Sequence, residues 1–334
     1  MVWGRLVIAP SDALGRYLVE RFGLPKERLR IVPRGVDLEE FAFQPPAEAT
    51  PQGRPWRIGL IGRLSRVKGH EIALRACHQL QQQGASFTLC IVGDQPNTSE
   101  RRALETLAQS LGLQEAVEWC GVRREIPSLI ASMDLLIVPS LYPESFGRSV
   151  IEAQAVGRPV IASRIGAMAD LIDDGTTGLL VPPGDPAALA QAMIRMMHDP
   201  ALRARCVTAA RARVEAEGGL DRMVERTLQV YDECLTKPRV LIWKLSALGD
   251  VVLATPSLRA IRRHFPRGHL TLVVGRAAYQ VVARCPYADD ILIYDPRRKD
   301  RGLRRRLAFL RRLRRGGFDY SIDLQNSRQT HVMA

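Results

Sequence analysis

Apolar runs of four to six residues recur along the chain, alternating with longer amphipathic stretches. From Arg57 the alternation is regular. Strands are predicted at 57–62, 87–92, 116–120, 134–138, 158–162 and 178–181. Helices fall between them, near 69–83, 98–111, 124–132, 148–156 and 168–173. Buried apolar strands separated by helices predict a parallel, doubly wound sheet. Helices alone follow through 186–235, broken at Gly218-Gly219. Ahead of this series, residues 6–33 read strand, helix, strand, with Ser11 as N-cap. Residues 42–55, rich in Pro, Ala and Gln, read as a linker. A second series opens with a strand at 239–243 and a helix running to about Phe265. Strand 270–274, a helix near 277–284, strand 291–294, helix 301–315 and strand 318–323 follow.

Composition narrows the class. At 334 residues, 46% hydrophobic and 25% charged, the chain is globular and long enough for two or three domains. No apolar run reaches the eighteen or so residues of a membrane span. Arg5 and Asp12 bracket a short run that reads as a strand, not as a signal peptide. The cysteines (77, 90, 120, 206, 234, 285) are scattered without Cys-x-x-Cys pairs, which predicts reduced thiols, a cytosolic setting and no zinc site. Charge is divided unevenly. Residues 236–334 hold 21 Lys and Arg against 7 Asp and no Glu, whereas the first 235 hold 27 basic and 28 acidic residues. Such a step near residue 236 predicts two units of different origin.

Candidate chemistry lies in the loops that follow the strands. Glu144–Glu152 reads Glu-Ser-Phe-Gly-Arg-Ser-Val-Ile-Glu, a loop and then a helix start behind the run Leu135–Val138. Such loops, at the carboxyl edge of a parallel sheet, are where open α/β folds bind ligands. Gly147 permits close approach to the backbone, and the helix beginning near Arg148 offers free N–H groups suited to phosphate. Carboxylates at Glu144 and Glu152 accept hydrogen bonds from hydroxyls, as on a sugar or a ribose diol. The plain alternative is a helix-start carboxylate and a solvated glutamate. The loop Gly62–Gly69 adds Arg63 and Lys68, two cations that fit a pyrophosphate or are ordinary surface charges.

Gly62–Gly69, Val92-Gly93-Asp94, Glu144–Glu152 and Gly178–Asp185 together resemble the donor-binding domain of the family-4 glycosyltransferases, over roughly residues 4–235. That resemblance implies the two-Rossmann GT-B architecture and retaining transfer from a nucleotide sugar. Arg63 and Lys68 would hold the donor diphosphate. Glu144 would contact hydroxyls of the transferred sugar, Phe146 and Gly147 would present backbone N–H groups, and Glu152 would hold the ribose diol. Such cations and N–H groups stabilise a leaving diphosphate without a metal, and the chain has no Asp-x-Asp; no metal and no cofactor are expected. Asp170 stands where the family usually carries a Glu. Residues 1–41, ending in Val32-Pro33-Arg34-Gly35-Val36-Asp37, resemble the end of the family's acceptor-side domain, most of which is missing. Half a cleft holds a donor but not both substrates, so efficient transfer is not expected of it.

The loop Lys244–Asp250 and the helix after it resemble the opening of the family-9, heptosyltransferase-like enzymes, over 238–334. The resemblance makes Asp250 the general base of an inverting displacement; the plain alternative is a helix cap. Arg297–Arg315 holds 11 basic residues, with Leu303, Leu307, Leu310 and Leu313 at helical spacing. It reads either as a crossover helix with its leucine face on the sheet or as a surface for anionic lipid. Three segments are therefore expected: 1–41, a donor-binding domain at 54–235, and a partial second glycosyltransferase at 238–334. The expected function is glycosyl transfer from a nucleotide sugar to a cell-envelope glycan or glycolipid, in the cytoplasm or at the inner face of the membrane. The competing classes are an inactive nucleotide-sugar-binding scaffold and a nucleic-acid binder; few aromatics interleave the arginines, so no nucleic acid is expected as partner.

Overall fold

The computed structural model describes residues 4–45, 53–93, 98–236, 238–245, 248–295, 300 and 302–325. The chain forms two compact units, Val7–Thr227 and Met1–Leu6 with Leu228–Ala334.

In the first unit, β1 (Val7–Ala9) and β2 (Leu29–Ile31) form a short parallel pair. The main sheet contains β3 (Trp56–Ile61), β4 (Phe87–Val92), β5 (Val117–Gly121), β6 (Leu135–Val138), β7 (Val160–Ser163) and β8 (Leu179–Val181). Their order is β5-β4-β3-β6-β7-β8, and every pairing is parallel. The chain moves outward from β3 through β4 to β5, then returns to the other side of β3 as β6. The loops after β3 and β6 therefore diverge, which opens a crevice at the carboxyl ends of these two strands.

Both faces of the sheet are covered, which is why its inner strands read as mostly apolar runs. On one face Ile58, Leu60, Leu89, Ile91 and Leu135 pack under the helices His70–Gln82 and Pro186–His198. On the other, Val92, Leu136, Val138 and Val160 pack under the helix Arg148–Val156. That helix starts at Gly147 and stops at Gly157, both left-handed. Asp185 caps Pro186–His198, accepting from the N–H groups of Ala187 and Ala188.

The expected boundary at residue 41 is a change of sequence pattern and not of compactness. The Ser11 hydroxyl donates to the Ser145 carbonyl at 2.8 Å, and Ala13 N–H donates to Asp170 Oδ2 at 2.7 Å. Val36 bridges to Gly218 and Leu220 through backbone bonds of 2.9 and 3.0 Å. A segment with only two strands has no core of its own, and it borrows one here.

In the second unit, β9 (Arg239–Lys244), β10 (His269–Val274), β11 (Asp290–Ile293) and β12 (Tyr320–Asp323) form a parallel sheet in the order β11-β10-β9-β12. Two sequence expectations change here. The single helix expected up to Phe265 is two, Leu248–Leu253 and Thr255–His264, divided at Ala254. Pro256 lacks an N–H and crowds the preceding turn, so it begins a helix instead of continuing one. The expected leucine stripe holds only in part. In the helix Leu303–Gly316 it is Phe309 and Leu313 that are buried, packed with Leu241, Trp243, Val273 and Tyr294, whereas Leu307 is 43% exposed. The ring of Tyr294 lies 4.7 Å from that of Phe309, and this aromatic contact sets the face. Among the described residues no helix is long and apolar enough to cross a membrane.

Candidate functional site

The loops leaving β3 and β6 are fastened to each other. Leu141 N–H donates to the Val67 carbonyl at 2.9 Å. Beside that bond, Lys68 Nζ lies 2.7 Å from Glu144 Oε2, and the Ser140 hydroxyl donates to Glu144 Oε1 at 2.5 Å. The glutamate expected to meet a sugar and one of the two cations expected to meet a diphosphate thus share one ion pair. The Lys68 and Glu144 side chains keep 24% and 15% of their exposure, so this pair is reachable from solvent. Ser140, fully buried, was not singled out in the sequence. Its signal is position: it directly follows the last apolar residues of β6 and Pro139.

Glycines make this proximity possible. A Cβ at Gly62 would stand 3.2 Å from Cδ and Cε of Lys68, so the lysine stem lies along the bare backbone there. Gly69, in the left-handed region at φ +67°, begins the helix His70–Gln82 directly against Pro139.

Gly147, at φ +107°, carries no side chain that could cap the helix Arg148–Val156. Val150 N–H donates to the Gly147 carbonyl at 3.1 Å, which leaves Arg148 and Ser149 to present the N–H groups that open this helix. Phe146 is buried in the core with Val150 and Met168, so what it offers at the loop is its backbone. Glu152 lies one turn into the helix, 7% exposed, and accepts from Arg148 Nη2 at 2.9 Å. Burial raises the Glu152 carboxyl above its ordinary range, and the Arg148 guanidinium opposes that rise. Arg63 stands exposed on the loop after β3, and no ion pair to it occurs among the described residues.

Asp170 is engaged elsewhere. Besides the bond from Ala13 N–H, it pairs with Arg16 at 3.3 Å, which holds the N-terminal helix Asp12–Phe22. Asp94 lies outside the described residues. In the second unit Asp250 lies in the first turn of the helix Leu248–Leu253, 58% exposed, with Lys244 Nζ 3.8 Å from its carboxylate. Leu245 N–H, on the loop after β9, donates to Gln325 Oε1 at 3.1 Å. Ser246, Ala247 and part of the basic run, 296–299 and 301, lie outside the described residues.

The family model of glycosyl transferases group 1 matches residues 45–213, and that of glycosyltransferase family 4 matches residues 2–40. The chain belongs to the group 1 glycosyltransferases. It is 34% identical over 213 residues to a D-inositol 3-phosphate glycosyltransferase of Corynebacterium jeikeium, a match covering 59% of this chain and 50% of that protein. It is 31% identical over 239 residues to a 2-deoxystreptamine glucosyltransferase of Streptomyces kanamyceticus, covering 69% and 60%. The chain thus spans about half the length of the curated relatives it matches. Among solved structures, a glycosyltransferase of Rickettsia africae is 28% identical with a TM-score of 0.63, covering 70% of this chain and 64% of that one. The Anabaena protein HepE, solved with UDP and glucose, is 27% identical with a TM-score of 0.62, covering 68% and 63%. These likenesses agree with parallel α/β sheets of GT-B type.

Proposed function

We propose that the unit Val7–Thr227 binds a nucleoside-diphosphate sugar in the crevice between the loops after β3 and β6, as the donor half of a retaining glycosyltransferase. The observation that carries this reading is the Lys68–Glu144 ion pair across that crevice, 2.7 Å long and still solvent-accessible. A diphosphate would compete for the lysine and release the glutamate to accept from sugar hydroxyls. Arg63 would add a second cation, the Gly147 end of the helix Arg148–Val156 would add N–H donors, and Glu152 would accept from the ribose diol. These groups suffice to stabilise a leaving diphosphate electrostatically, without a metal or cofactor. HepE, solved with UDP and glucose, makes a uridine donor the first to test.

The second unit is proposed to belong to a second, heptosyltransferase-like enzyme acting on a cell-envelope glycan or glycolipid. What supports this is the resemblance of the loop after β9, together with the position of Asp250 beside the β9/β12 switch point, where a base would meet an acceptor hydroxyl. The exposed arginines of Leu303–Gly316 would hold the chain at anionic lipid on the cytoplasmic face. Calorimetric titration with a panel of nucleotide sugars tests the donor reading. Saturable binding of one of them supports it, and no binding by a folded chain overturns it.

A further inference from the structure

Strand pairing brings the Cys90 thiol on β4 to Glu118 and Cys120, two residues apart on β5. Cys90 on β4 is in register with Glu118 on β5, and the register shifts between Ile91 and Val92, where Cys120 follows on the same face. One ligand atom from each of Cys90, Glu118 and Cys120 lies within 4.8 Å of the others. The two cysteines are buried, and the Glu118 side chain is 46% exposed, which leaves a path from solvent. Cys90 Sγ lies 3.5 Å from Glu118 Oε2.

We infer that Cys90, Glu118 and Cys120 form a site for one thiophilic divalent cation, zinc being the best fit, with water completing its coordination. Zinc–sulfur bonds of about 2.3 Å and zinc–oxygen bonds of about 2.0–2.2 Å at tetrahedral angles require a sulfur-to-oxygen edge of about 3.5 Å. Cys90 Sγ and Glu118 Oε2 already stand at that edge, and this same oxygen accepts from Arg57 Nη2 at 3.0 Å, a bond the ion would displace. Softness favours zinc over magnesium or calcium, which want oxygen alone.

Binding of the dication as a dithiolate complex sends both thiol protons to solvent. Arg57 lies 3.0 Å from Glu118 and Arg123 lies near Cys120, so two guanidinium groups oppose the metal. Such an ion would clamp the edge strand β5 to β4, whose end abuts the donor loop through Gly93 and Gly62.

Cobalt(II) reports this site by spectroscopy. The full chain, kept reduced with a phosphine, is titrated with cobalt(II) and then with zinc. We expect one equivalent to give a thiolate-to-cobalt charge-transfer band and the strong visible bands of a tetrahedral ion, both erased by zinc. C120S and C90S lose the charge-transfer band or halve it, and C77S, at a buried thiol elsewhere, retains it. Should the buried variants not fold, E118Q, at a half-exposed position, carries the test: its cobalt affinity falls about tenfold or more. No thiolate band in the folded, reduced protein overturns the inference, as does a band unchanged in E118Q.

Discussion

A Cβ built on Gly69 would fall 1.9 Å from the carbonyl oxygen of Pro139. The loop after β3 therefore passes the loop after β6 at a distance only a glycine tolerates, and its φ of +67° independently favours glycine. Left-handed backbone costs a substituted residue about 1–2 kcal/mol, and the backbone clash adds to it. Gly69→Ala should lose about 3 kcal/mol or more of stability in urea denaturation. A loss below about 1 kcal/mol would mean that the two loops are not held this closely.

Arg158 tests a different joint. It is 6% exposed, and burial lowers its pKa. Its guanidinium donates to the carbonyls of Ala131 at 2.8 Å, Gln44 at 2.8 Å and Gly157 at 3.0 Å. Truncation leaves buried carbonyls without a donor, at about 1–3 kcal/mol for each group left unsatisfied. Arg158→Ala should therefore cost about 2–4 kcal/mol, read as a lowered urea midpoint with an unchanged slope.

The second unit offers a paired comparison on one helix. Phe309→Ala removes a buried ring and should cost about 3–5 kcal/mol. Leu307→Ala, at a position 43% exposed, should change stability by about 0.5 kcal/mol or less. Equal losses for the two would restore the leucine stripe that the sequence alone predicts.

Glu152 gives a pH dependence of definite sign. Below the ordinary carboxylate pKa of 4.5 it is protonated in both the folded and the unfolded chain. As pH rises through that value the unfolded chain ionises first, because burial holds the folded carboxyl higher, and the folded state loses stability. Glu152→Gln has no such loss. The stability difference between variant and wild type should move in favour of the variant between about pH 4 and pH 7. Urea denaturation at the two pH values measures it, and a difference independent of pH would contradict the burial argument.

Much of the first unit is legible in the sequence, because most of its strands are largely apolar runs and several, such as β3, β4, β6 and β8, are closed by a glycine or proline. The placement of Gly62, Lys68, Glu144 and Gly147 on the loops after β3 and β6 is legible too, since each follows an apolar run that reads as a strand. Ser140 was not, because a serine after a proline carries no chemical signal until the fold aims it at Glu144. The proximity of Cys90 and Cys120 was equally hidden: strand pairing, not spacing, brings them together, and the scattered cysteines suggested no such set. The partial leucine stripe of Leu303–Gly316 has a similar cause, since Tyr294 on the neighbouring segment selects Phe309 over Leu307. The split at Ala254 was within reach, as Pro256 in the second turn of a helix is a stop signal that a long apolar stretch conceals.

The donor site itself is tested most directly by calorimetric titration of wild type, Lys68→Ala and Glu152→Ala with UDP-glucose and with UMP. Lys68→Ala should weaken UDP-glucose by about 10- to 100-fold, as for a lost charged hydrogen bond of about 1.5–3 kcal/mol, with a smaller effect on UMP. Glu152→Ala should weaken both ligands, because both carry the ribose. Binding of UDP-glucose unchanged in both variants would contradict a donor site in the crevice between β3 and β6.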